Sequence, residues 1–161
     1  MIPNIIDIEA SGFGGTSYPI EIGIVLSSGE KYCSLIKPEL NWTHWSEEAE
    51  HVHHISKEIL QQRGKPALQV AIAINEFLEG KTVYSDGWVV DKPWLIELFA
   101  AARINNTFCI SALEFILDEY QMEHWHKTKI EVIKDLSLTR HRASSDAFII
   151  QETYRRTKAH N

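Results

Sequence analysis

Cysteine is scarce in this sequence, and the two cysteines, Cys33 and Cys109, lie far apart without a redox or metal-binding motif around them. This favours two reduced core thiols over a disulfide framework. No run of about 18 apolar residues predicts a membrane-spanning helix. The first residues also lack a basic segment followed by a long apolar stretch, so no secretory signal is indicated. We therefore expect a cytoplasmic protein without a membrane partner.

Positive charge is also in short supply, with 16 Lys and Arg against 22 Asp and Glu and a net charge of −6. A protein that coats DNA non-specifically normally carries an excess of basic residues, so this class is disfavoured. A metal-dependent nuclease is not excluded. Two divalent cations held by four carboxylates would neutralise those charges and reverse the local field.

The length of 161 residues, with 44% hydrophobic and 24% charged residues, is typical of one globular domain, which we expect over residues 1–161. Apolar periodicity and turn residues predict strands over residues 4–9, 20–26, 31–36, 82–85 and 107–110. They predict helices over 46–51, 56–62, 66–79, 91–102, 113–120, 130–138 and 144–156. The second and third strands read as a hairpin. The order implies an α/β protein with a mixed five-stranded sheet, three antiparallel N-terminal strands and flanking helices.

Two acidic side chains stand in the first predicted strand. Asp7 and Glu9 are two residues apart and therefore share one face, while Ile6 and Ile8 share the other. Such a carboxylate pair repels itself unless it is protonated, solvated or bridged by cations. The pair therefore indicates either a metal site or an ordinary exposed edge strand.

A second candidate group lies near the C-terminus, where His141 precedes Asp146 by five residues. Five residues correspond to roughly 140° around a helix, so the two cannot share a helical face. We place His141 on a loop and Asp146 in the first turn of the last helix. The alternative is a solvated Arg-His-Arg segment followed by an ordinary helix-start aspartate.

A third acidic position, Asp91, follows the predicted strand 82–85 at the start of a helix. Carboxylates at strand and helix ends converge above the edge of a sheet. Asp91 can equally be a helix N-cap, with Pro93 in the first turn. Asp86 is an additional carboxylate without an assigned role.

Taken together, these motifs resemble the DEDDh 3′-to-5′ exonucleases, which include RNase T, oligoribonuclease and the proofreading subunit of bacterial DNA polymerase. The segment 6–12 is similar to the first motif, Asp91 with Leu95 to the second, and His141 with Asp146 to the third. The second motif departs from the family's His-Asn-x-x-Phe-Asp because Asp86 stands first. The segment 53–56 resembles the family's His-x-Ile-Thr/Ser element, with its register left open.

The resemblance implies a ribonuclease H-like fold and a 3′-to-5′ exonuclease that releases nucleoside 5′-monophosphates. It implies that two Mg²⁺ or Mn²⁺ ions are held by Asp7, Glu9, Asp91 and Asp146. It also implies that His141 takes the proton of the attacking water. Single-stranded 3′ ends are the expected substrate, with RNA slightly ahead of DNA. The resemblance also suggests a homodimer, because dimers are common in this family.

The resemblance further implies contacts to the terminal nucleotide, and we expect these from Ala10, Ser11, Gly12, Phe13 and Ile55. Aromatic side chains that could stack on bases, or simply pack, are Trp42, Trp45 and Trp88. Arg140 and Arg142 could reach phosphates or remain solvated.

Three other interpretations compete with this one. A binding module without catalysis could keep the same fold, but it has no need for five clustered titratable groups. An endonuclease of the same fold fits the His-x4-Asp element less well. A zinc site is conceivable in the cluster of His44, His51, His53 and His54, although ordinary loop histidines explain that cluster as well.

Overall fold

A computed structural model describes residues 1–159 and shows a five-stranded sheet. Its strands are β1 (Asn4–Ala10), β2 (Pro19–Val25), β3 (Lys31–Leu35), β4 (Thr82–Ser85) and β5 (Cys109–Ala112). Their order in the sheet is β3-β2-β1-β4-β5. The first three strands are antiparallel neighbours, whereas β4 pairs parallel with β1 and β5 parallel with β4. The predicted α/β class and mixed five-stranded sheet are confirmed.

Helices flank this sheet. They are α1 (Glu47–His53), α2 (Lys57–Arg63), α3 (Ala67–Leu78), α4 (Trp88–Ala102), α5 (Glu119–Leu136) and α6 (Ala143–Lys158). The hydroxyls of Ser46 and Ser56 accept backbone N–H groups at the starts of α1 and α2, as expected of N-caps. No helix within residues 1–159 has both the length and the apolar composition needed to cross a bilayer.

Four predicted elements differ from the structure. The helix expected over 113–120 is a short 3-10 helix, Leu113–Ile116, and α5 replaces the helix expected over 130–138. A capping box formed by Asp118 and Gln121 starts α5 well before the apolar periodicity becomes clear. Strand β5 begins and ends two residues later than predicted, at Cys109–Ala112 instead of 107–110. Helix α4 starts at Trp88, so Asp91 is a first-turn residue and not the N-cap.

The core lies on both faces of the sheet. On one face Ile6 and Ile8 of β1 join a large cluster that includes residues of α3 and α4. On the other face Ile5 packs with Ala147 and Ile150 of α6. Because side chains alternate along a strand, Asp7 and Glu9 point to the same face as Ile5. The packing of α6 on this face therefore brings its first turn towards the two carboxylates.

The two cysteines depart from expectation in one respect. Cys33 and Cys109 are unpaired, but both are exposed and neither belongs to the core. Each stands on a strand at an edge of the sheet, β3 or β5. The outward face of such an edge strand leaves a side chain in solvent.

Candidate metal centre

Three carboxylates converge where β1 meets α6. Asp7, Glu9 and Asp146 each offer one oxygen, and these oxygens lie within 4.8 Å of one another. Among residues 1–159 this is the group whose geometry could hold a metal ion. The strand supplies the first two ligands by its alternation, and α6 supplies the third from its first turn.

Asp91 lies beside this triad. Its side chain is 3% exposed, and its Oδ2 accepts a hydrogen bond of 2.6 Å from the hydroxyl of Ser85. Ser85 ends β4, the neighbour of β1 in the sheet. Burial raises the pKa of Asp91 to about 7, even though the Ser85 hydrogen bond lowers it.

The electrostatics of the group are unfavourable without a cation. Burial is the largest cause that raises the pKa of Asp7 well above its usual range, followed by the charge of Asp91. Burial likewise raises the pKa of Glu9 to about 8, with the charge of Asp146 next in importance. Asp7 Oδ2 is buried without a hydrogen-bond partner. An orphaned buried oxygen among oxygen-only donors fits a hard divalent cation such as Mg²⁺ or Mn²⁺.

The loop before α6 carries His141, as predicted. His141 is exposed, has a φ of 60°, and donates its backbone N–H to Asp146 Oδ2 over 3.1 Å. Arg140 Nε donates to the other oxygen, Asp146 Oδ1, over 3.0 Å. Both oxygens of Asp146 thus accept a hydrogen bond from this loop, and the backbone of His141 lies next to that carboxylate.

The residues expected to contact substrate separate into two groups. Phe13 is 73% exposed. The residues Ala10, Ser11 and Gly12 before it are buried. Ser11 Oγ accepts the Tyr18 backbone N–H and is hydrogen-bonded to His44 Nδ1, so the start of the loop is fixed. Ile55 is 1% exposed in the core cluster and offers no open face for stacking in this conformation.

Most of the tryptophans and arginines considered as substrate contacts already have partners within the protein. Trp42 is 8% exposed, stacks on Tyr18 with ring centroids 5.3 Å apart, and donates its Nε1 to Glu97. Of the two roles considered for Trp42, packing is the one that the structure shows. Trp45 donates to Glu50, and Lys92 lies over the ring of Trp88. Arg142, which could have reached phosphate or remained solvated, is instead bound to the buried Glu21.

Trp94 is a further candidate site residue, which the sequence motifs did not single out. It lines two cavities together with Phe13: a small one of about 50 Å³ that reaches Glu9 and His53, and a larger one of about 270 Å³ that includes Val89. Its signal is the spacing from Asp91, because residues three apart share a helix face. A carboxylate and an aromatic ring on one face of α4 thus point to the same side of the molecule.

The histidine cluster does not form a metal site in the described part of the chain. His44 binds Ser11, and His53 is 2% exposed, with its Nδ1 accepting the Ile55 backbone N–H. Burial lowers the pKa of His53, which favours the neutral ring. His51 and His54 lie at a surface pocket with Glu50. Asp86, the unassigned carboxylate, forms a 3.1 Å ion pair with Lys129.

No protein-family model and no curated protein sequence matches this chain. Solved structures of Exonuclease I share its fold. The zinc-bound complex of E. coli Exonuclease I with single-stranded DNA is 11% identical, with a TM-score of 0.73 over 100% of this chain and 41% of that protein. Exonuclease I from Methylocaldum szegediense is 15% identical, with a TM-score of 0.59 over 76% of this chain and 29% of its own.

A third example is E. coli Exonuclease I in complex with a dA16 oligonucleotide, which has a TM-score of 0.68 and 11% identity over 92% of this chain and 39% of that protein. This chain thus spans well under half the length of these proteins. The TM-scores show a common fold, and at identities this low they show the fold alone. The chain has the ribonuclease H-like fold predicted from its motifs, with an acidic cluster at the junction of β1 and α6.

Proposed function

We propose that this chain is a metal-dependent 3′-to-5′ exonuclease of the DEDDh type. The observation that carries the proposal is the convergence of Asp7, Glu9 and Asp146 within 4.8 Å, next to the buried Asp91. Raised carboxyl pKa values and an unpartnered buried oxygen are costly to a fold that uses these groups for structure alone. A functional role is favoured, since a divalent cation would satisfy all four groups.

In this proposal Asp7, Glu9, Asp91 and Asp146 hold two Mg²⁺ or Mn²⁺ ions. Bound metal of this kind activates water and stabilises the leaving oxygen of a phosphodiester. The chain's own contribution beyond the ligands is His141, which accepts the proton of the attacking water. Its exposed position on the loop before α6 leaves the ring free to do so. The products are nucleoside 5′-monophosphates.

The 3′ end of a single strand is proposed to bind across Phe13 and Trp94. These two side chains form a shared wall between the cavity that reaches Glu9 and the larger cavity beside it. A nucleobase that stacks on Phe13 from the larger cavity would place the adjoining phosphate towards Glu9. Aromatic contacts of this kind tolerate any base sequence. Ala10, Ser11 and Gly12 would contribute backbone, and Ile55 would support the loop from the core.

Two polymers are candidates for this single strand. Several neighbours in fold are complexes with single-stranded DNA, so DNA is the first polymer to test. RNA, which we expected to be slightly favoured over DNA, is the second. The remaining elements of the proposal are one exonuclease domain over 1–161, of which 160 and 161 lie outside the described residues, a possible homodimer, and a cytoplasmic location.

The experiment compares 3′-hydroxyl and 3′-blocked oligonucleotides, as DNA and as RNA, with Mg²⁺ or with EDTA. We expect mononucleotides from the free 3′ end with Mg²⁺ only, and none from the Asp7→Asn variant. Tight binding without hydrolysis would instead favour the non-catalytic binding module. Cleavage of the 3′-blocked strand at internal positions would favour an endonuclease.

A further inference from the structure

A fifth carboxylate, Glu21, lies in β2 directly across from Glu9 in the antiparallel register. It is 4% exposed. Side chains that face each other across two strands lie on the same face of the sheet, and two like charges in such a pair repel. Glu21 is not a member of the metal-binding triad. Its buried charge therefore needs another explanation.

The Glu21 carboxylate is bound to the start of α6 by several charge-assisted hydrogen bonds. Arg142 donates its Nε to both oxygens at 3.1 and 3.0 Å, and its Nη2 to Oε2 at 2.6 Å. The backbone N–H of Ala143 donates to Oε1 at 2.7 Å. The N-cap residue of α6, Arg142, makes no capping bond with its own side chain. Glu21 thus supplies from another strand an acceptor for the exposed N–H groups of the helix start.

The backbone of β2 is also shaped to receive this helix end. Gly23, two residues after Glu21 and on the same face, lies so close to α6 that an added Cβ would stand 2.3 Å from the carbonyl carbon of Ala143. That distance is far inside van der Waals contact, and the atom in the way is backbone. Side-chain binding at Glu21 and close approach at Gly23 therefore fix the same point of the helix.

The start of α6 at Arg142 and Ala143 lies one turn before Asp146, the third carboxylate of the candidate metal centre. The backbone N–H of Asp146 donates to the carbonyl of Arg142 over 2.9 Å, and His141 is the residue immediately before Arg142. A shift of the helix start would move Asp146 away from Asp7 and Glu9. It would move the His141 loop as well.

We infer that Glu21 is a positioning residue, which acts with Arg142 to hold the start of α6 so that Asp146 and His141 meet the two carboxylates of β1. This inference rests on the proposed function. It assigns a role to a buried acidic residue outside the group of Asp7, Glu9 and Asp146. It also explains why a glycine and a glutamate alternate in an otherwise apolar strand.

The test is Mn²⁺ binding by calorimetry together with kcat and KM, for wild type and Glu21→Gln. We expect Mn²⁺ affinity and kcat to fall at least about tenfold, as is usual when a residue that orients a metal ligand is lost. KM for the oligonucleotide should change little, because the Phe13 surface is not touched. The matched control is Glu152→Gln, which removes ion pairs to Arg155 and Arg156 further along the same helix.

Both variants lose ion pairs of α6 and are expected to lose some thermal stability. Only Glu21→Gln should weaken Mn²⁺ binding, so equal Mn²⁺ affinities in the two variants would overturn the inference. If Glu21→Gln does not fold, Arg142→Lys keeps the positive charge and the Ala143 contact while losing the bidentate geometry. Arg142→Lys should show a smaller loss of Mn²⁺ affinity than Glu21→Gln. Wild-type Mn²⁺ affinity in Arg142→Lys would overturn the inference. Wild type that binds no Mn²⁺ would instead overturn the proposed function itself.

Discussion

Arg140 Nε donates to Asp146 Oδ1 across 3.0 Å, so a guanidinium group neutralises one of the three carboxylates that converge at the centre. A metal ion that uses this oxygen must share it with Arg140 or displace it. Asp146 is thereby less available to a cation than Asp7 or Glu9. The contact predicts that Arg140 moderates metal affinity.

We therefore expect Arg140→Gln to bind Mn²⁺ about two- to fivefold more tightly than wild type, the effect of losing one partly exposed ion pair. Calorimetry at fixed pH measures the change. Arg155→Gln, which removes an arginine from the far end of α6, is the control and should leave Mn²⁺ affinity unchanged. Weaker binding in Arg140→Gln would mean that Arg140 supports the centre by orienting Asp146.

The raised carboxyl pKa values predict an unusual pH dependence of stability in EDTA. The folded protein keeps protons on Glu9, with a pKa of about 8, and on Asp91, with a pKa of about 7, that the unfolded chain has released. Because the folded state then binds more protons than the unfolded state, the free energy of unfolding decreases as pH rises. The decrease should run from the ordinary carboxyl values near 4 to 4.5 up to about pH 8.

Thermal denaturation between pH 5 and pH 9 checks this expectation. Tm in EDTA should fall across that range, and the Glu9→Gln variant should show a shallower fall. Addition of Mg²⁺ should raise Tm more at pH 8 than at pH 5, since fewer protons compete with the metal. A Tm that rises towards pH 8 in EDTA would show that these carboxyl groups are ionised in the folded protein.

The sequence contained enough information to predict the sheet and the carboxylates. Alternation in β1 put Asp7 and Glu9 on one face, and the helix period separated His141 from Asp146. Both inferences depend on local geometry, which the chain determines over a few residues. The elements at 107–120 were misplaced because a capping box, which depends on two side chains, starts α5 where apolar periodicity is weak.

Contacts between residues far apart in the chain could not be predicted from the sequence. Glu21 and Arg142 are 121 positions apart, and no spacing rule links them. The burial of Ile55 was missed, and packing could not be distinguished from base stacking for Trp42, because the same apolar and aromatic residue types occur in cores and at binding surfaces. Trp94 was missed although its spacing from Asp91 was visible.

Ser85 predicts a second pH effect, which concerns activity. Its hydroxyl donates to Asp91 and lowers the pKa of that carboxyl group. Ser85→Ala should therefore raise the pKa of Asp91 and move the acidic limb of the pH–rate profile towards higher pH. Ser34→Ala is the control, because Ser34 is also buried but donates to the Leu35 carbonyl on edge strand β3. An unmoved acidic limb in Ser85→Ala would remove Asp91 from the titration that limits activity.

The imidazole of His141 can be tested without disturbing its backbone. His141 has a φ of 60°, a conformation that asparagine tolerates better than alanine, and its N–H donates to Asp146. His141→Asn should keep that N–H bond and Mn²⁺ affinity while turnover falls by about 10²- to 10⁴-fold. His126→Asn, at an exposed position of α5, should retain full turnover. Wild-type turnover in His141→Asn would exclude the imidazole as the base.

Phe13 offers the most direct test of where the substrate lies, because the chain contains a second phenylalanine with nearly the same exposure. Phe13 is 73% exposed and Phe115 is 77% exposed, but only Phe13 lines the cavities that contain Trp94. Since neither ring is part of the core, each alanine variant should keep the wild-type Tm.

Stacking of a base on an aromatic ring contributes about 1–3 kcal/mol, so Phe13→Ala should raise KM for a single-stranded oligonucleotide by about 5- to 100-fold. Phe115→Ala should leave KM unchanged. Mn²⁺ affinity should be that of wild type in both variants, because neither ring supplies a metal ligand. Equal KM values for the two variants would mean that the strand does not cross the wall formed by Phe13 and Trp94, and would direct the search for the substrate path to another side of the metal centre.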